Sequence, residues 1–267
     1  MKLRGVRHRF RGTGWVLDGV DLRIEPGRPV VVTGGNGSGK STLLRVVAGV
    51  LRPTGGTVGG RPGVTGYLPT PFPDSRLSTR RLTEHLDAVH GLRRGAALDV
   101  LDRLGFDADP DRPVADLSAG TRTKVGLAQA VAVREGLVVL DEPWTALDDE
   151  AAAALDVVLA EEPARTLVVA DHSGRATTLP GALTYRLADG ALTRSRPCRP
   201  GGTRIELSCR GPAAAVAAAL PSAAVGCCEG ERLVVTVDVP GADRWLAAAL
   251  AAGCSVIDVT RLPERSA

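Results

Sequence analysis

Short apolar runs alternate with stretches of helical periodicity along the first 195 residues of the chain. Residues 30–33, 137–140 and 167–170 are short runs rich in valine and leucine, whereas residues 41–50 carry apolar side chains at helical spacing. Runs that are apolar on both faces are typical of parallel strands covered by helices on both sides. The pattern therefore predicts an α/β fold built on a parallel sheet.

A mostly helical segment interrupts this alternation between residues 77 and 130. Two apolar faces recur there at helical spacing, one formed by Leu82, Leu86 and Val89 and the other by Leu98, Leu101 and Leu104. We therefore predict a helical subdomain at about 70–130, inserted between two parts of the sheet.

A change of pattern near residue 195 predicts a domain boundary. Asp189-Gly190, flanked by strand-like residues, predicts a hairpin that closes the first domain. Residues 195–202 contain two prolines and two glycines with little apolar content, which is typical of a linker. We assign residues 1–195 to the first domain, 196–202 to the linker and 203–267 to a second domain.

The second domain has its own order of elements. Its strand-like stretches are residues 205–209, 225–228, 233–239 and 256–262, and its helix-like stretches are residues 212–220 and 242–252. The resulting order β-α-β-β-α-β predicts a small ferredoxin-like α+β domain.

Composition limits the classes of partner. Hydrophobic residues make up 44% of the chain, which is enough for a core, and the net charge is only +3 with 3% aromatic residues. Nucleic-acid binding usually needs a dense basic face or stacking aromatics, so we expect no nucleic-acid partner.

The longest apolar run, residues 213–220, is too short to span a bilayer. The N-terminus lacks the apolar stretch of a secretory signal, and we expect a cytosolic protein.

The spacing of the cysteines suggests neither a disulfide framework nor a metal site. All five follow residue 197, and no spacing indicates a zinc site or a set of disulfides. We favour buried, reduced thiols over a metal site.

A glycine-rich loop separates the first predicted strand from the first predicted helix. Residues 34–42 read GGNGSGKST, which fits the pattern glycine, four residues, Gly-Lys-Ser. Such a loop turns successive N–H groups into one hollow at a helix N-terminus, which suits a phosphate. We expect Lys40 to reach the β- and γ-phosphates of a nucleotide and Ser41 to place its hydroxyl on Mg²⁺. The candidate binding residues are Gly34, Gly35, Asn36, Gly37, Ser38, Gly39, Lys40, Ser41 and Thr42.

Two acids end the second apolar strand. Asp141 and Glu142 follow residues 137–140, and an acid at the carboxyl end of a parallel strand faces the ligand crevice. Asp141 can hold Mg²⁺ through water, and Glu142 can act as general base for attack on the γ-phosphate. His172 follows the third apolar strand at the same end of the sheet. Ser118 precedes a helix-like stretch, and we expect it to cap that helix.

Together these motifs resemble those of the ATP-binding cassette (ABC) ATPases. Residues 34–42 resemble the Walker A loop, and LSAGT at 117–121 resembles the family's LSGGQ signature. LVVLDEP at 137–143 resembles Walker B, and TALD at 145–148 resembles the D-loop. His172 takes the place of the switch histidine. The match runs from about residue 1 to 195 with every motif in order.

The resemblance implies a fold, a reaction and a dimer. The implied fold is a P-loop NTPase sandwich of the ABC ATPase type, and the implied activity is hydrolysis of ATP with Mg²⁺. Glu142 and His172 are the implied catalytic residues, and Asp148 is the implied D-loop residue. Two cassettes, as a homodimer or heterodimer, enclose two ATP molecules head to tail. The signature residues Ser118, Ala119, Gly120 and Thr121 then face the ATP of the opposite subunit.

Three departures from the family pattern stand out. Thr70 occupies the position of the Q-loop glutamine, and we assign it to the metal with a shorter reach. In the signature, Ala119 and Thr121 differ from the family residues, while Ser118 and Gly120 are retained. For the aromatic residue that stacks on adenine, we prefer Phe10 to Trp15.

The resemblance also implies a membrane partner. A separate transmembrane permease would carry the substrate, and the chain would act at the cytoplasmic face of the cell membrane. The tail resembles the C-terminal extension of drug and antibiotic exporter ATPases, which favours export. Two alternatives stay open: a soluble ABC ATPase acting on ribosomes or DNA, and a nucleotide-binding regulator without turnover.

Overall fold

The computed structural model describes residues 1–162, 165–195, 202–220, 224–238 and 242–261. The chain divides into two compact units, Met1–Ser195 and Arg196–Ala267. The predicted linker lies outside the described residues except for Gly202, which begins a strand.

The described residues of the first unit form two sheets. Its strands are β1 (Lys2–His8), β2 (Leu17–Arg23), β3 (Val30–Thr33), β4 (Gly55–Gly59), β5 (Thr65–Leu68), β6 (Leu137–Asp141), β7 (Thr166–Ala170), β8 (Leu183–Ala188) and β9 (Ala191–Arg194). The larger sheet has the order β5-β6-β7-β3-β8-β9, with β9 antiparallel to β8 and the other neighbours parallel. The smaller sheet is antiparallel with the order β2-β1-β4. The prediction of a parallel sheet is confirmed.

Helices cover both faces of the larger sheet. The helices of this unit are α1 (Lys40–Ala48), α2 (Thr79–Val89), α3 (Ala96–Arg103), α4 (Ala119–Val131) and α5 (Asp149–Ala160). Successive residues of β6 pack in two different hydrophobic clusters. Val138 packs in the cluster that contains Leu155 of α5, and Val139 packs in the cluster that contains Leu44 of α1. This alternation explains why β6 is apolar along its whole length.

The helical segment differs from its prediction at α2. The buried residues of α2 are Thr79, Thr83 and Asp87, whereas Val89 is 64% exposed. Burial of Asp87 in this face is tolerated because its carboxylate accepts hydrogen bonds from the N–H groups of Gly95 and Ala97. The predicted apolar face of α2 was therefore partly wrong. The α3 face is confirmed at Leu101 and Leu104, which are fully buried.

The described residues of the second unit form one antiparallel sheet with two helices. Its elements are β10 (Gly202–Ser208), α6 (Ala213–Ala219), β11 (Ala224–Glu229), β12 (Arg232–Asp238), α7 (Ala242–Ala251) and β13 (Ser255–Arg261). The sheet order is β11-β12-β10-β13, and the order along the chain is the predicted β-α-β-β-α-β. Val239 and Leu262, which we predicted as strand ends, lie outside the described residues.

The cysteine side chains that can be described, those of Cys209 and Cys254, are buried, as predicted, and their Sγ atoms lie 3.4 Å apart. Cys198 and the side chains of Cys227 and Cys228 lie outside the described part. Within that part, no cluster of His, Cys, Asp and Glu side chains is suited to a metal ion. None of the described helices combines the length and apolar character needed to cross a membrane.

Candidate functional site

The loop between β3 and α1 adopts backbone angles that favour glycine. Gly34, Gly37 and Gly39 have φ values of 146°, 78° and 100°. A side chain at Gly34 would collide with the carbonyl oxygen of Leu187, and a β-carbon at Gly39 would lie 2.9 Å from the carbonyl oxygen of Val16. Both close approaches explain why the loop needs residues without a Cβ at these positions.

Lys40 begins α1 and points back over the loop. Its side chain is 7% exposed, and Nζ donates hydrogen bonds to the carbonyl oxygens of Gly34 at 2.7 Å and Gly35 at 3.1 Å. Nζ also lies 3.8 Å from Oε1 of Glu142. The ammonium group is therefore held at the mouth of the loop, next to the acid that ends β6.

Asp141 is the last residue of β6 and is 1% exposed. Neither of its carboxylate oxygens accepts a well-formed hydrogen bond from the described residues. Burial raises the pKa of this carboxyl, while the hydroxyl of Ser41 and the charges of Arg45 and Lys40 act in the opposite direction. A buried carboxylate with free oxygens beside a serine hydroxyl is the donor set that Mg²⁺ prefers, so these residues fit the ion.

Glu142 follows β6 in a left-handed backbone conformation, with φ of 51°. Its Oε2 atom lies 2.5 Å from Nδ1 of His172 and accepts a second bond from the main-chain N–H of His172 at 3.3 Å. Positive φ at a non-glycine residue is strained, and such strain clusters at functional sites. Glu142 thus sits between the cation of Lys40 and the imidazole of His172.

Thr70 lies two residues beyond β5 and reaches the same strand end. Its hydroxyl donates a hydrogen bond to the main-chain carbonyl oxygen of Asp141. Its hydroxyl proton is therefore committed to the backbone of β6, and its role as a metal ligand stays a prediction.

The two aromatic candidates for adenine stacking lie in the loop between β1 and β2. Phe10 and Trp15 are each 43% exposed. The ring of Phe10 meets that of His8 edge-on at 4.9 Å, and the guanidinium of Arg9 lies 4.8 Å from the ring centre of Trp15. The preference for Phe10 stays a prediction.

The signature segment begins α4, as predicted. Ser118 caps the helix, because its Oγ accepts a hydrogen bond from the N–H of Thr121 at 3.1 Å. Ala119 is the first helical residue. A β-carbon at Gly120 would lie 2.8 Å from the carbonyl oxygen of Ala146, so the signature packs closely on the D-loop of its own chain.

Asp148 connects the D-loop to two helices. It caps α5 by accepting a hydrogen bond from the N–H of Ala151 at 2.8 Å, and its Oδ2 lies 3.4 Å from Nζ of Lys124 on α4. The N–H of Ala151 and then the charge of Lys124 lower the pKa of this carboxyl. No local pattern singled out Lys124 for this role, because the ion pair joins residues 24 positions apart.

The structure therefore forms two groups of predicted residues. Lys40, Ser41, Asp141, Glu142 and His172 meet at the carboxyl ends of β3, β6 and β7, with Thr70 at the edge. The signature residues and Asp148 form the second group at the start of α4 and α5. Arg45, which sequence analysis did not single out, lies close enough to Asp141 to lower the pKa of its carboxyl.

Comparison with known proteins gives a family assignment. A family model described as "ABC transporter" matches residues 17–145. An aliphatic sulfonates import ATP-binding protein of Rhodococcus jostii is 34% identical over 73% of this chain and 81% of that protein. A zinc import ATP-binding protein of Pseudomonas entomophila is 36% identical over 55% of this chain, and the match spans only 58% of its own length.

Solved structures show the same fold. A dimeric structure of the bacterial ABC transporter cassette MJ0796 aligns with a TM-score of 0.64 and 24% identity, covering 72% of this chain and 95% of that chain. A post-hydrolysis structure of the same cassette bound to ADP and Pi aligns with a TM-score of 0.64 and 23% identity, over 74% of this chain and 98% of that chain.

Proposed function

The chain belongs to the ABC transporter family of ATP-binding proteins and is an ATPase of that family, and we propose that it hydrolyses ATP to drive a separate membrane permease. The observation that carries this proposal is the convergence of Lys40, Asp141, Glu142 and His172 on the glycine-rich loop. One cation, one buried carboxylate and one oriented general base are the parts that phosphoryl transfer to water requires.

Each residue of the first group has a role in this reaction. The loop N–H groups and Lys40 bind the phosphates, and Glu142 takes a proton from the attacking water. His172 holds the carboxylate of Glu142 in place through two hydrogen bonds to Oε2. Bound Mg²⁺, held by Ser41 and Asp141, would supply charge neutralisation for the phosphate oxygens.

In this proposal the second group of residues, formed by the signature and Asp148, acts on the ATP that a second copy of the chain binds. In this proposal Ser118 and Gly120 of one chain face the γ-phosphate held by the partner chain. The capped start of α4 presents the positive end of a helix dipole, which favours a phosphate. Contact of the signature with the D-loop of its own chain means that both segments would reach the partner together.

The direction of transport has two candidates. Export is favoured by the C-terminal unit, whose βαββαβ order resembles the extension of exporter ATPases. Import is favoured by the names of the two curated relatives, both import proteins. Purified chain with its permease, reconstituted in inside-out vesicles, distinguishes the two: export predicts ATP-dependent accumulation of substrate, and import predicts its ATP-dependent loss.

Phosphate release tests the hydrolytic claim. Wild-type chain with ATP and Mg²⁺ should release phosphate, and Glu142→Gln should lower the rate about 100-fold or more, because a general base contributes roughly 10²–10⁴. ATP affinity should stay within about twofold, since the loop and Lys40 are intact. Equal phosphate release from both proteins would contradict hydrolysis at this site and favour a regulator without turnover.

A further inference from the structure

A short segment, residues 70–74, joins the catalytic end of the sheet to the signature helix α4. At its start, the hydroxyl of Thr70 donates to the carbonyl oxygen of Asp141. At its end, the carboxylate of Asp74 forms an ion pair with the guanidinium of Arg122 on α4. The segment therefore has one contact at the main-chain carbonyl group of Asp141 and one contact four residues beyond the Ser118 cap.

An aromatic residue of the segment, Phe72, lies between these two ends. Phe72 packs in the core cluster of the sheet and in the separate cluster of the helical segment, which it joins. On α4 it lies against Gly126. A β-carbon at Gly126 would lie 2.5 Å from Cδ2 of Phe72, 2.7 Å from its Cγ and 2.6 Å from Cδ1 of Leu68.

The backbone conformation at position 126 does not require glycine. Gly126 lies inside α4, where glycine is less favourable than alanine by about 1 kcal/mol, and its φ is not positive. The absence of a side chain at Gly126 is explained by the aromatic ring that lies there. The helix is held on the sheet in the same region by Gln129, whose side-chain amide donates to the carbonyl oxygen of Tyr67 at 2.8 Å.

We propose that Phe72, packed against Gly126, is a positioning residue that sets the orientation of the signature helix relative to the catalytic end of β6. The inference rests on the proposed function, because the signature acts only when a second copy binds. A displaced ring would rotate or lift α4 and move Ser118 and Gly120, while the loop and Lys40 would be unaffected.

The proposal is tested by enlarging the side chain at one of the two positions and then shrinking the side chain at the other. Gly126→Ala adds a methyl group where Phe72 lies, and Phe72→Ala in the same chain removes the ring and frees space into which Leu68 can move. Gly63→Ala is the matched control, because a β-carbon at Gly63 meets no atom within 4 Å. Three quantities are measured for each protein: kcat for phosphate release, ATP affinity, and ATP-dependent dimer formation in the Glu142→Gln background by light scattering.

The proposal predicts a specific pattern. Gly126→Ala lowers kcat about tenfold or more and weakens the ATP-dependent dimer, while its ATP affinity stays within about twofold of wild type. The double variant recovers part of the lost kcat and of the dimer. Gly63→Ala behaves as wild type.

Other outcomes overturn it. Unchanged kcat and dimer formation in Gly126→Ala would show that the contact does not position the helix. A double variant no better than Gly126→Ala, or a parallel loss of ATP affinity, would show general damage to the fold. If the wild-type chain neither binds nor hydrolyses ATP, the proposed function itself fails, which these variants distinguish from failure of the inference alone.

Discussion

Nδ1 of His172 lies 2.5 Å from Oε2 of Glu142, so a direct hydrogen bond joins the imidazole and the carboxylate at the ends of β7 and β6. The main-chain N–H of His172 donates to the same oxygen at 3.3 Å, which leaves Oε1 facing Lys40 at 3.8 Å. One oxygen of Glu142 is thus used for orientation, and the other is directed toward the phosphate-binding loop.

Removal of the imidazole tests this arrangement. We expect His172→Ala to lower kcat about 10- to 100-fold, because misplacement of a reacting group by about 1 Å costs rate on this scale. ATP affinity should change little, since the hydrogen bonds of His172 in the described part of the chain go to Glu142 and not to the loop. Single-turnover phosphate release and equilibrium ATP titration separate the two quantities. A variant with wild-type kcat would show that Glu142 needs no support from His172.

Replacement of Lys40 by methionine removes the ammonium and keeps an unbranched side chain. We expect ATP affinity to fall about 10- to 100-fold, because a hydrogen bond to a charged group contributes about 1.5–3 kcal/mol. Lys124→Met is the matched control, since Lys124 is similarly buried but lies on α4. Isothermal titration of both variants with ATP is the measurement. Equal affinities for ATP would contradict a phosphate contact at Lys40.

Asp141 should make folding stability depend on pH in an unusual direction. Its pKa is raised, mainly by burial, so the folded chain binds more protons than the unfolded chain just above pH 4. Stability from this group therefore falls as pH rises through that window. We expect Asp141→Asn to raise Tm at pH 7 without Mg²⁺, with a difference that shrinks toward pH 4. Thermal scans across this pH range with and without Mg²⁺ and ATP test it; a lower Tm at pH 7 would be the opposite result.

Adenine stacking is assigned to Phe10 and is tested against Trp15. Loss of one aromatic stacking partner costs about 1–3 kcal/mol, so Phe10→Ala should weaken ATP binding about 5- to 100-fold. Trp15→Ala should leave the affinity within about twofold, and titration with inorganic triphosphate should not distinguish the variants. The reverse pattern would transfer the stacking role to Trp15.

Local sequence patterns predicted the elements that depend on local chemistry. The buried strands β3, β6 and β7 were evident from apolar runs, and the Ser118 cap was evident from its residue type. Strand β4 was missed, because Gly55–Gly59 contains three glycines and is held by pairing with β1 rather than by its own propensity. The buried polar face of α2 was also missed, because the partners of Asp87 lie in the turn before α3 and at its start.

The candidate site likewise combines residues that local motifs predict with contacts between segments that are distant in sequence. Lys40, Asp141 and Glu142 belong to motifs that are continuous in sequence, so their meeting at one end of the sheet could be predicted. The bond from Thr70 to the main chain of Asp141 and the pair Lys124–Asp148 join segments that only the fold brings together. No residue type or spacing in the sequence indicates such contacts.

A mixing experiment tests most directly whether the site is shared between two copies. Lys40→Met keeps an intact signature, and Ser118→Asp keeps an intact loop and a good helix cap but places a negative charge toward the partner's phosphate. Each variant alone should release almost no phosphate, whereas an equimolar mixture should regain activity through one intact composite site. A mixture no more active than the sum of its parts would contradict a site built from two chains.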